Sequence, residues 1–128
     1  MEHRLPYDVT SVSSARRLVG DFADTRLSDT RLDELVLMAS EVVTNAVTHG
    51  SPEPDGAIGL RLEEDREAVR VVVTDGGVGF ALDLGSLEDA NRDQQFGLLL
   101  VDRFADRWGL SVDGKTAIWV EVETSAPV

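Results

Sequence analysis

The sequence predicts an α+β sandwich of two layers, a mixed but mainly antiparallel sheet covered on one face by about three helices. Three observations lead there. Strand signals come as neighbouring pairs, "AIGLRLEE" with "AVRVVVTD" and "LSV" with "TAIWVEVE", so hairpins build most of the sheet. Apolar residues recur at helical spacing in two long stretches before the first pair and one after it. The 128 residues fit one domain, 1–128, because domains commonly run from about 50 to 250 residues.

Taken in order, Leu5, Tyr7 and Val9 alternate and predict a short first strand, which Pro6 assigns to a sheet edge. "SVSSARRLVGDFAD" places Val12, Ala15, Leu18, Val19, Phe22 and Ala23 on one helical face behind several serine cap candidates. A second helix is expected from Ser28 or Asp29 to Gly50, with Leu32, Leu35, Val36, Ala39, Val42, Val43 and Ala46 inward. "SPEPDG" then reads as a turn by composition. Residues 81–96, "ALDLGSLEDANRDQQF", are polar and aperiodic; a loop of that length suits a lid. A third helix, "GLLLVDRFADRWG", is expected to start just after Gly97, with Leu100, Val101, Phe104 and Ala105 inward.

Charge and composition narrow the function. Twelve basic against 24 acidic residues give a net charge of −12, which repels nucleic acid and anionic lipid, so neither is an expected partner. A polyanionic ligand would have to be held by backbone amides, helix N-termini or a metal. No cysteine is present and no disulfide is possible. The first residues lack an apolar run after a basic start, and no stretch approaches the ~18 apolar residues of a membrane span, so a cytoplasmic protein is expected.

Within the second helix, "SEVVTNAVTHG" sets Glu41, Asn45 and His49 four residues apart, nearly over one another along one edge. Alone, that is an ordinary solvated helix face. The strand "VVVTD" then runs into Asp75 and glycines 76, 77 and 79, which permit positive φ or close approach to a ligand. Alone, this is an ordinary turn. Gly97 before a helix would offer unpaired amides to a phosphate. Alone, it is a plain cap. Only the ordered trio is improbable by chance.

"EVVTNAVTHG", "DGGVGF" and "GLLLV" resemble the three ATP-binding boxes of the GHKL superfamily, whose members include gyrase and histidine kinases. "LMASEVVTNAVTHG" and the "FADRWG…GKT" tail are most similar to the bacterial anti-sigma-factor serine/threonine kinases, over roughly residues 9–123. The resemblance implies the histidine-kinase-like (Bergerat) ATP-binding fold, ATP and Mg²⁺ as cofactors, and a homodimer. It implies a sigma factor and a STAS-type anti-anti-sigma protein as partners, the latter phosphorylated on serine or threonine.

By position, it implies Glu41 as general base, Asn45 as the magnesium ligand and Asp75 as acceptor for the adenine amine. Gly77 and Gly79 would let the backbone turn beneath the nucleotide. Gly97 and Leu98, at the head of the third helix, would face the phosphates, and Thr116 would place a hydroxyl near the adenine. His49 fits a helix C-terminus, where the dipole favours it, and Arg16 and Arg17 are either solvated or part of a partner surface. One departure stands out: Gln95 occupies the place of an earlier glycine in relatives. It motivates a second reading, a nucleotide-gated binding module without phosphate transfer.

"GLSVDGKT", residues 109–116, also satisfies the P-loop pattern GxxxxGK(S/T). A P-loop needs a helix after it, whereas "TAIWVEVE" alternates with period two. Asp113-Gly114 is therefore expected to be a hairpin turn.

Overall fold

The computed structural model describes residues 1–77 and 92–124, with backbone only for 92–96. In chain order the elements are β1 (Glu2–Pro6), α1 (Thr10–Ala23), α2 (Asp29–His49), β2 (Ala57–Glu64), β3 (Ala68–Asp75), α3 (Arg92–Phe104), β4 (Arg107–Val112) and β5 (Thr116–Glu123). The sheet order is β1-β2-β3-β5-β4, and every pairing among the described residues is antiparallel. The predicted α+β sandwich is thus observed, with an antiparallel sheet rather than a mixed one.

Period-two patterning decides which face of the sheet meets the helices. Ile58, Leu60 and Leu62 of β2, Val69, Val71 and Val73 of β3, and Ile118, Val120 and Val122 of β5 point inward and are buried. Against them lie Ala15, Val19 and Ala23 of α1, the α2 stripe of Leu35, Met38, Ala39, Val42, Val43, Ala46 and Val47, and Leu98 and Val101 of α3. The remaining expected residues, including Leu32, Val36, Leu100, Phe104 and Ala105, pack at the margin of this core.

The opposite face carries Arg70 and Trp119, with the guanidinium 4.9 Å from the ring centroid, and Gly109 leaves room for the indole. Glu121 there pairs with both Arg70 and Arg107. Trp108 instead faces the core and donates its Nε1–H to Asp102 of α3 at 3.0 Å.

Ser28 caps α2 by accepting the Arg31 amide, and Gly50 ends the helix by donating to the Asn45 and Ala46 carbonyls. Three boundaries differ from expectation. The first strand covers residues 2–6, not 5–9: Pro6 ends the ladder and Asp8 accepts the Thr10 amide, turning the chain into α1. That side chain, rather than a serine, serves the helix start. α3 begins at Arg92, five residues before Gly97, and ends at Phe104; Arg107 already belongs to β4. The last five residues of the expected lid are therefore helical, and its residues 81–91 lie outside the described residues, as does Gly79.

The P-loop look-alike is a hairpin: the Asp113 amide donates to the Lys115 carbonyl and Gly114 has φ +71°. Among the described residues no helix is long and apolar enough to cross a membrane.

Candidate functional site

Two groups of residues meet along α2. At its C-terminal end stands Asp75, the last residue of β3, buried at 4% exposure. Its Oδ1 accepts the Gly77 amide at 2.7 Å, and its neighbour across the sheet, Thr116 of β5, donates its hydroxyl to the Gly77 carbonyl at 2.7 Å. The structure thus brings Asp75, Gly77 and Thr116 together. Burial pushes the Asp75 carboxyl above the usual range; the Gly77 and Ser51 amides pull the other way, and the nearby negative charge of Glu53 adds to the rise. A carboxylate held in a desolvated setting with amides on it is an acceptor of fixed direction, suited to reading a donor on a planar ligand.

The second group sits one to two turns earlier. Asn45 is buried at 4% exposure, while Glu41, one turn back, is half-buried. Facing them is Gly97 of α3. A Cβ on that glycine would stand 3.1 Å from Glu41 Oε2 and 3.5 Å from Asn45 Nδ2, so the missing side chain is what lets the two helices close beside these polar groups. Leu98 next to it points into the core. Gly97 therefore does not head a helix as expected. As the sixth residue of α3 its amide falls within the regular hydrogen-bond ladder and is not among the orphan donors of the first turn.

The groups are joined through Gly50, whose amide donates to the Asn45 and Ala46 carbonyls. A Cβ on Gly50 would lie 2.8 Å from Asp75 Cγ and Oδ2. Glycine thus allows the base of α2 to press directly on the carboxyl. Gly76 is similarly tight, since a Cβ there would run into the Pro52 carbonyl, and its amide donates to Ser51 O at 2.8 Å. Neither Gly76 nor Gly77 has positive φ; close approach, not a left-handed backbone, is their reason. Glu53, in the turn after α2, is a further buried carboxylate beside this end that sequence reasoning passed over. "SPEPDG" carries no local signal of it, because its partners are distant in sequence.

His49 at the end of α2 is half-buried, and Arg16 and Arg17 are exposed on α1. The site residues fit a nucleotide in one respect the geometry itself supplies, the side-chain-free positions at Gly50, Gly77 and Gly97 beside polar groups. Among the described residues no cluster of three His, Cys, Asp or Glu side chains forms a metal cage.

A model of the histidine kinase-like ATPase domain matches residues 5–122. This chain belongs to that family. Family membership implies nucleotide binding, and the matched region includes Asn45, Asp75 and Gly97. Two solved structures share the fold. A chain in the crystal structure of the SiaB-SiaC complex from Pseudomonas aeruginosa aligns with a TM-score of 0.63 at 12% identity, over 95% of this chain and 88% of that one. The histidine kinase domain of the blue-light activated histidine kinase from Erythrobacter litoralis EL346 aligns with a TM-score of 0.56 at 21% identity, over 91% of this chain and 60% of that one. No protein of curated function matches significantly.

Proposed function

We propose that this ATPase-family domain is an ATP- and Mg²⁺-binding regulatory kinase of the anti-sigma-factor type, acting in the cytoplasm as a homodimer. It phosphorylates a serine or threonine of a STAS-type anti-anti-sigma partner and sequesters a sigma factor. The observation that carries this reading is Glu41, a half-buried carboxylate one turn before the buried Asn45 and directly against Gly97.

In this reading Asp75, with Gly77 and Thr116 beside it, accepts from the adenine amine. Asn45 would hold Mg²⁺ through its side-chain oxygen, the hard donor that cation prefers. Such a cation would supply charge neutralisation there, and Glu41 takes the proton of the attacking hydroxyl. That one structural relative was solved as a two-protein complex supports a protein partner.

The test is incubation with Mg-ATP and the partner, followed by mass spectrometry for phosphoserine and phosphothreonine. Transfer by the wild type, its loss in Glu41→Ala with ATP binding retained, and loss of magnesium-dependent binding in Asn45→Ala are expected. No phosphorylated partner from the wild type sinks the kinase reading.

A second reading, a nucleotide-gated binding module without turnover, is favoured by one observation. α3 starts at Arg92, so the positions of Gln95 and Gly97 lie in a helix and not in a glycine loop that could wrap the phosphates. Under it, Glu41→Ala leaves partner binding unchanged while Asn45→Ala disrupts it.

A further inference from the structure

Glu53 is buried at 7% exposure, although it sits in a turn that composition marks as solvent-facing. An isolated carboxylate would be costly there, and two cations compensate it. Arg4 of β1 pairs with Oε2 and is shared with Asp55, while Lys115 Nζ lies 3.4 Å from Oε1. Gly59 of β2 leaves room for the arginine: a Cβ there would come within 2.9 Å of its guanidinium. The backbone of Glu53 is equally committed, its amide donating to Ala57 O and its carbonyl accepting from Gly56, each at 2.8 Å.

These contacts converge on the surroundings of Asp75 from two directions. The segment leading into Glu53 supplies Ser51 O to the Gly76 amide and the Pro52 carbonyl against which Gly76 is pressed. Lys115 immediately precedes Thr116, the sheet neighbour of Asp75 and the donor to Gly77 O. One carboxylate therefore ties together the two segments that flank Asp75, the 51–53 turn and the start of β5.

We propose that Glu53 is a positioning residue for base recognition: through Arg4 and Lys115 it locks the 51–53 segment and the start of β5 so that Asp75 and Gly77 hold one orientation towards the ligand's amino group. This rests on the reading of Asp75 as base acceptor. A residue that only stabilised the fold would weaken all purine nucleotides in parallel. A residue that aims Asp75 changes the preference for a base bearing the amine over one lacking it.

The experiment is competitive titration of ATP and of purine riboside triphosphate, the same nucleotide without its amino group, in the presence of Mg²⁺. Wild type is expected to prefer ATP by about tenfold or more, the worth of one hydrogen bond to a charged acceptor, and Asp75→Asn to remove most of that preference. Glu53→Ala is expected to contract the preference about threefold or more, by misaiming the acceptor.

Glu53→Gln, which keeps the volume and loses the charge that holds Lys115, is expected to contract it about twofold, and it decides the matter if the alanine variant does not fold. Contraction in the Glu53 variants supports the proposal. Parallel weakening of both nucleotides, or no change, overturns it while leaving Asp75 intact as acceptor. A wild type without preference, or one that Asp75→Asn does not alter, removes the acceptor reading and this inference with it.

Discussion

Replacing Gly97 with alanine separates stability from function. Glycine inside a helix is worth roughly 0.5–1 kcal/mol less than alanine, so Gly97→Ala should strengthen α3 by about that much. Opposing it is the new methyl, 3.1 Å from Glu41 Oε2, 3.4 Å from Glu41 Cβ and 3.5 Å from Asn45 Nδ2. Only the first of these is tight, and the atom concerned is the free end of a half-buried side chain that can rotate away cheaply.

The fold should therefore keep most of the gain, a rise in Tm of roughly 3 °C for a domain of this size. The carboxylate should not keep its place. A general base must come within about 2.6–3.2 Å of its proton, and a misplacement of 1 Å costs about a hundredfold, so a shift of half that is expected to slow transfer about tenfold. Differential scanning calorimetry and single-turnover transfer from saturating Mg-ATP read the two quantities. A higher Tm with an unchanged rate would refute Glu41 as the base, and a lower Tm would show that the gap between α2 and α3 cannot yield.

Two further predictions concern pH. Because burial raises the folded-state pKa of Asp75, its ionised form costs stability at neutral pH, and that cost disappears as pH falls towards the ordinary value of 3.8. Asp75→Asn should melt higher than wild type at pH 7 without nucleotide, with an advantage that shrinks on acidification, while ATP binds about tenfold more weakly. An Asp75→Asn protein that melts lower at pH 7 would contradict this. Burial pushes the Glu121 carboxyl up, but the guanidinia of Arg107 and Arg70 outweigh it and hold the group below its ordinary 4.5. Its contribution is thus present above pH 4.5 and lost as pH falls below it. The Tm gap between wild type and Glu121→Gln should be largest near neutrality and close in acid; a gap independent of pH would argue against the ion pairs.

Much of this molecule could be read from periodicity. β2, β3 and β5 are visible from short runs rich in β-branched and apolar residues with a buried residue at every second position, and α2 because its apolar stripe lies between a serine cap and a glycine stop. The misses have local causes. His3 and Glu2 belong to β1 through backbone pairing with Leu60 and Arg61, which no apolar pattern announces. Tyr7, which the alternation placed in the strand, instead donates its hydroxyl to Gly50 O at 2.7 Å. The start of α3 was hidden because "RDQQF" has no apolar period and Gly97 looks like a boundary. In the fold that glycine is a contact point between helices, which depends on α2 and is invisible from α3 alone.

The same reasoning divides the site. Asp75, Gly77 and Thr116 were named from motifs; sheet pairing sets Asp75 opposite Thr116, and hydrogen bonds tie Gly77 to both. Glu53 was not, since it matters through Arg4, 49 positions earlier, and Lys115, 62 positions later.

The two tryptophans, placed on opposite faces of the sheet, form a built-in optical pair. Trp108 is bonded to Asp102 near the C-terminal end of α3, the helix whose Gly97 touches Glu41, so its emission follows that helix. Trp119 lies under Arg70 on the far face, against Gly109, away from the ligand side. The two emissions overlap in the wild type, and Trp119→Phe leaves a single native reporter of how α3 responds when nucleotide arrives.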